Sequence, residues 1–189
     1  MEPSVIPVDG HPDVKLLETR RLEDERGFFS ETYHERDFGK IGLTARFVQD
    51  NHSLSRRRGT IRGLHFQIPP RAQGKLVRVV RGAILDVAVD IRHGSPTFGQ
   101  HVAVELSAEN WRQLYVPAGY AHGFITISED TEVQYKVTDF YSAEHDAGLN
   151  WADPALGIDW KVDVADIVLS DKDRLHPFLK DLPRYFELG

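Results

Sequence analysis

Apolar residues recur at every second position through most of the chain, in short runs separated by glycine or proline. From Ile84 to Ile91, Leu85, Val87, Val89 and Ile91 fall on one face and Asp86, Ala88 and Asp90 on the other, which predicts a strand. Thr131 to Thr138 alternates the same way, with Thr131, Val133, Tyr135 and Val137 on one face. Phe47 to Ser53 passes from apolar to polar within one strand length: Gln49, Asn51 and Ser53 share a face, and Asp50 and His52 take the other. His101–Leu106, Gln113–Val116 and Ala121–Ile127 read as further strands. So does the aromatic run Phe28–Tyr33 that follows the turn at Asp24–Gly27. Met1–Pro12, with Pro3 and Pro7, reads as an arm or an edge strand. Helix is scarce. His34–Gly42 predicts one helical turn closed by glycine, and Leu175–Leu188 a short C-terminal helix limited by Pro177 and Pro183. Trp151 and Trp160 demand burial, so the stretch from Tyr141 is an ordered loop region and no linker. Evenly spaced strands with tight turns imply an all-β sandwich or barrel, in one domain spanning 1–189.

Two of the predicted strands carry unusual polar residues. Gly59 to Val80 holds Ile61, Leu64 and Phe66, then Leu76, Val77, Val79 and Val80, joined by a loop with Pro69, Pro70 and Gly74. Arg62, His65 and Lys75 sit in these runs, where they are costly unless they face a cavity and are hydrogen-bonded or bind something. With His122 and Tyr135 they make a set of five polar groups in or beside strands. Convergence would create a cationic pocket with one phenol, suited to an anion and to proton transfer at His65. The plainer alternative is a hydrogen-bonded core histidine flanked by two surface bases.

Composition narrows the chemistry. The 189 residues suffice for a real core, and 41% hydrophobic with 28% charged residues is ordinary for a globular protein. A net charge of −6 and a single short basic run, Arg56-Arg57-Arg58, argue against nucleic acid as a partner. No cysteine is present, which excludes a disulfide framework, a thiolate nucleophile and a cysteine zinc site, and suits the cytoplasm. No apolar run approaches a membrane span, and there is no Gly-x-Ser-x-Gly elbow or glycine-rich phosphate loop. A metal is the rival reading. Pro117-Ala118-Gly119-Tyr120-Ala121-His122 resembles the second half of a cupin metal motif, but His65 is followed by Phe66-Gln67, with neither a second histidine nor a close carboxylate. The expectation is therefore no metal.

Longer motifs carry a specific resemblance. RGFFSE (Arg26 to Glu31), QDNHS (Gln49 to Ser53), IRGLHFQ (Ile61 to Gln67) and QGKLVRVVRG (Gln73 to Gly82) come first. DVAVDIRHGSPTFG (Asp86 to Gly99), VELSAEN (Val104 to Asn110), VPAGYAHGF (Val116 to Phe124) and LSDKD (Leu169 to Asp173) follow. In order and spacing they resemble the dTDP-4-dehydrorhamnose 3,5-epimerase family, from about Arg20 to Asp173. The resemblance implies a metal-free, cofactor-independent cupin-type jelly roll with an N-terminal arm and short C-terminal helical segments. It implies a homodimer in which the arm, about 1–33, is exchanged. The substrate implied is a dTDP-linked 4-keto-6-deoxyhexose, epimerised at carbons 3 and 5 through an enolate. The same residues also suit a mono-epimerase acting at one carbon. A non-catalytic sugar-binding cupin is the alternative from another class.

By that resemblance His65 is the base, Asp173 holds its other ring nitrogen, Lys75 stabilises the enolate oxygen and Tyr135 donates a proton on the far face. Arg62 and His122 match positions near the sugar and phosphates. Arg26 and Glu31 match positions that reach the nucleotide, and Phe29 is placed to stack on thymine. Gln49, Asp50, Asn51 and Lys172 complete the substrate-binding set. At position 146 the family usually has glutamate and this chain has Asp146, whose shorter reach alters that substrate contact.

Overall fold

The computed structural model describes residues 1–188. Its strands run in chain order as β1 (Ser4–Ile6), β2 (Lys15–Glu18), β3 (Leu22–Asp24), β4 (Gly27–Phe29), β5 (Gln49–Ser55), β6 (Ile61–Gln67), β7 (Lys75–Arg81) and β8 (Ala83–Asp90). They continue as β9 (Arg92–His93), β10 (His101–Ser107), β11 (Arg112–Val116), β12 (Tyr120–Thr126), β13 (Thr131–Val137), β14 (Asp146–Gly148) and β15 (Phe186–Glu187). Two helices, α1 (Glu35–Lys40) and α2 (Asp171–Arg174), are short. Two antiparallel sheets dominate, a six-stranded one ordered β1-β2-β11-β7-β13-β5 and a five-stranded one ordered β10-β8-β12-β6-β14. They pack face to face as the sandwich that the strand spacing predicted, in the jelly-roll form that the resemblance implied. The expected edge strand near the N-terminus is β1, and the expected helical turn is α1.

The space between the sheets is filled by Val77, Val79, Leu114, Val116 and Val133 from one and Ile84, Ala88, Val102, Leu106 and Phe124 from the other. The clean alternation in β8 has an unexpected sense. Its apolar set Leu85, Val87, Val89 and Ile91 faces outward, under Leu149, Leu156, Trp160 and Leu182 of the C-terminal segment. Its polar set, Asp86 and Asp90, is fully buried on the inner face. The tryptophans thus find the burial they need, with Trp160 donating its indole N–H to the Trp151 carbonyl at 3.0 Å. The six-stranded sheet is covered on its outer side by Phe38 of α1 with Leu17, Leu43 and Leu76.

Two expectations need correction. Leu175–Leu188 forms a single 3-10 turn at Leu179–Asp181 and then β15, which pairs parallel with β9; no continuous helix forms. Pro177 and Pro183 each remove a helical donor, and the apolar residues here are used to seal the sheet beneath. The aromatic run Phe28–Tyr33 yields only the end of hairpin strand β4, and Phe28 and Phe29 are exposed, at 54% and 63%. Among the described residues no helix is long and apolar enough to cross a membrane.

One irregularity decides the site. His122 pairs with His65 but Phe124 pairs with Arg62, so β6 spends one more residue than β12 between these points. That bulge lies at Gly63, where φ is +123° and an added Cβ would meet Gly123 Cα at 2.6 Å. Strict alternation would put Arg62 and His65 on opposite faces. The bulge instead turns both toward the cavity while Leu64 and Phe66 pack outward. Gly63→Ala is expected to cost at least about 2 kcal/mol, or roughly 4–8 °C in Tm, since strained φ and the close approach add. A thermal melt coinciding with that of the unsubstituted protein would contradict this role for the bulge.

Candidate active site

At one end of the sandwich the two sheets part around a cavity of about 450 Å³. Strands β5, β7 and β13 contribute Ser53, Lys75 and Tyr135 from the six-stranded sheet. Strands β6 and β12 contribute Arg62, His65, His122 and Phe124 from the five-stranded sheet. The rim is Val168–Ser170 with Lys172 and Asp173. His65 and Tyr135 therefore rise from opposing walls. Asn51 lies directly across from Tyr135 in the β5–β13 register and shares its face, as the period-2 reading of β5 required.

Each polar group has a defined partner. His65 Nε2 is 2.5 Å from Oδ1 of Asp173, a residue only 4% exposed. Ser170 caps α2 by accepting from the Asp173 N–H at 3.2 Å, which fixes the carboxylate over the histidine. With Nε2 as the donor, Nδ1 carries the lone pair. Lys75 Nζ donates to the His65 carbonyl at 3.2 Å. His122 Nε2 meets Asp86 Oδ1 at 2.8 Å inside the sandwich. Arg62 is held by Ser55 Oγ and the Leu54 carbonyl, both at 3.1 Å.

Burial tunes these groups toward proton transfer. It pushes the His65 imidazole below its ordinary value despite the pull of Asp173, with Lys75 and Lys172 adding to the effect, so His65 is neutral and able to accept a proton at pH 7. Burial works to raise the Asp173 carboxyl, but His176, His65 and Ser170 outweigh it and hold the group well below the carboxylate range. Burial brings the Lys75 ammonium down to about 8, against the opposing pull of Asp146 and Asp86. Burial also raises the Tyr135 phenol, Arg62 acting against it, so the hydroxyl keeps its proton.

Among the residues singled out in the sequence, Arg62, His65, Lys75, His122, Tyr135, Lys172 and Asp173 line one cavity. Others lie elsewhere in this chain. Arg26 and Phe29 belong to the exposed β3–β4 hairpin, where Arg26 pairs with Asp24. Glu31 binds the Met1 amino group. Asp50 is on the outer face of its sheet, bonded to Lys136 at 2.8 Å. Gln49 donates to Asn51 and accepts from the Tyr141 N–H. Asp146 takes the Lys172 ammonium and the Tyr141 hydroxyl, so the shorter acid ties the rim together. Tyr141 and His176 escaped the sequence reading. Tyr141 lies outside any strand pattern, and His176 sits in a stretch read as helix. His176 gives the dyad a third ligand-type atom, the three lying within 4.8 Å of one another. The set fits a metal poorly as it stands, because His65 and Asp173 already satisfy each other.

A family model described as dTDP-4-dehydrorhamnose 3,5-epimerase matches residues 10–181. The chain belongs to this family. It is 56% identical over 175 residues to the dTDP-4-dehydrorhamnose 3,5-epimerase of Sinorhizobium fredii, covering 93% of this chain and 89% of the relative. The crystal structure of the Bacillus anthracis enzyme, with TDP and pyrophosphate bound, superposes with a TM-score of 0.90 at 52% identity, over 93% of this chain and 99% of that one. The 3,5-epimerase of Legionella pneumophila, solved in complex with dTDP-4-keto-L-rhamnose, matches with a TM-score of 0.94 at 41% identity over the whole of both chains.

Proposed function

We propose that this epimerase-family chain inverts carbons 3 and 5 of dTDP-4-dehydro-6-deoxy-D-glucose to give dTDP-4-dehydro-L-rhamnose. The observation that carries the reading is one cavity with an aspartate-backed, neutral imidazole on one wall and a protonated phenol on the other. The 4-keto group acidifies the hydrogens on its two neighbouring carbons. His65 removes one through Nδ1, and the imidazolium is stabilised by Asp173. The electrons move onto the ketone oxygen, where Lys75 meets the enolate charge with a preorganised ammonium. Tyr135 returns a proton to the opposite face of the flat enol, which inverts the centre. No electron is gained or lost, so the chemistry runs on these side chains alone.

Arg62 and Lys172 give the cavity the positive lining that a nucleoside diphosphate needs, and His122 adds an imidazole to it. Gln49 and Asn51, which share a strand face with Ser53 of the cavity, are read as further sugar contacts. The same reading has two copies exchanging their N-terminal arms, so that Arg26, Phe29 and Glu31 serve the partner's cavity; the exposed phenyl rings of Phe28 and Phe29 support it. It implies a cytoplasmic enzyme, because the substrate is a nucleotide-activated sugar.

Proton NMR of the substrate in heavy water with the enzyme tests this reading. The signals at carbons 3 and 5 are both expected to vanish as the L-sugar accumulates. Exchange confined to one of the two carbons would overturn it in favour of a mono-epimerase, and no exchange at either in favour of a binding protein.

A further inference from the structure

The reaction as derived leaves one imidazole beside the dyad unused. His176 lies three residues after Asp173, past the end of α2, with its side chain 10% exposed. Its ring stands edge-on to His65, with centroids 5.5 Å apart and an interplanar angle of 79°. Its Nε2 is buried without a hydrogen-bond partner among the described residues, and Asp173 Oδ1 lies 3.6 Å away, just beyond bonding range. This is the oxygen that His65 uses. The chain goes to some length to seat this ring. Gly148, paired with His65 in the β14–β6 register, lies beneath it, and a Cβ there would come within 2.4 Å of His176 Cε1. The backbone is pinned as well, since Asn150 Nδ2 donates to the His176 carbonyl at 3.1 Å and the Asn150 N–H to the Pro177 carbonyl at 2.9 Å. Buried ring nitrogens are rarely left unpaired, and the carboxylate oxygen beside this one is the one behind His65.

We propose that His176 is a positioning residue: its Nε2–H shares Asp173 Oδ1 with His65 and thereby sets how firmly Asp173 holds the proton on His65. The inference rests on the reading of His65 as the base. Two donors on one oxygen divide its negative charge, so each is held less strongly than it would be alone. A shared Asp173 orients His65 yet lets the imidazolium release its proton for the next turnover. The other charges near His65 are Lys75 from β7 and Lys172 from α2, which both oppose its protonation, and Asp146 from β14, which is tied to Lys172. Arg62 and His122 stand beside it on the same wall of the cavity.

The test is the pH dependence of kcat/KM and of deuterium uptake from solvent for the unsubstituted enzyme, His176→Phe and His176→Gln. The phenyl ring fills the seat without an N–H, leaving Asp173 wholly to His65. Its acid limb is expected to move up by about half to one pH unit, a roughly three- to tenfold loss on that limb, with KM little changed. Glutamine keeps a donor and is expected to restore the original limb. A His176→Phe limb that superposes on the unsubstituted one overturns the proposal, whatever its Tm, because packing alone would then explain the ring. Should the variants fail to fold, proton–nitrogen correlation of the histidine rings in the unsubstituted enzyme decides. A protonated His176 Nε2 that shifts as His65 titrates supports the proposal, and an unprotonated Nε2 near neutral pH refutes it. His65→Ala separates the two readings. If that variant still exchanges, the base assignment fails while the ring spectra continue to report on His176.

Discussion

His65→Ala is expected to reduce epimerisation by on the order of 10²–10⁴-fold and to abolish deuterium uptake at both carbons, while dTDP still binds. The side chain stands on the cavity wall, 31% exposed, so its removal leaves room for water and opens no void in the core. The bulge at Gly63 and the packing of Leu64 and Phe66 outward are untouched, so the strand keeps its place. Arg62, His122 and Lys172, the proposed diphosphate contacts, remain. What disappears is a neutral imidazole with an oriented lone pair, and no other group in the cavity is placed to replace it: Lys75 is mostly protonated at pH 7, His122 is buried against Asp86, and Asp173 is too deeply buried to reach a substrate carbon. Mass spectrometry of recovered substrate from heavy water, with calorimetric titration of dTDP, checks both halves. Uptake persisting at the original rate would remove His65 from the role of base.

Tyr135→Phe is expected to separate exchange from inversion. Abstraction by His65 and stabilisation by Lys75 survive, so carbon 3 continues to trade its proton with solvent. Reprotonation from the opposite wall loses its donor, so net inversion at carbon 5 is expected to fall by about 10²-fold or more. The variant is nearly isosteric, and β13 is held by β5 and β7 on its two sides, so the fold is expected to be unaffected. Time-resolved proton NMR gives exchange and product in one experiment. Equal slowing of both processes would mean that the phenol acts in binding or in enolate stabilisation, and not as the far-side donor.

The strands were legible because successive side chains of a strand point to opposite faces; β5 and β13 show that period of two in their burial, and β8, buried on both faces, shows it in its alternation of apolar and polar residues. Which face looked inward was not legible. In β8 the apolar face seals against the C-terminal segment, and the aspartates point into the sandwich, a choice made by distant residues such as Trp160 and Leu182. The gathering of Arg62 with His65 was equally hidden, since the two are three apart and only a bulge puts them on one side. Gly63 was the available signal: a glycine inside an apolar run is a place where alternation can break. Asp173 and Lys172 had no local pattern to mark them, and only the resemblance of LSDKD drew attention to them. His176 was lost for a related reason, in a stretch whose prolines make 3-10 and extended structure out of what looked like helix.

The segment that seals the five-stranded sheet also delivers Asp173, so closing the outer face and backing His65 with a carboxylate are one event. A nascent chain that has built every strand through β14 still lacks the acid behind its histidine. That carboxylate arrives only as the last stretch wraps around the outside of the five-stranded sheet.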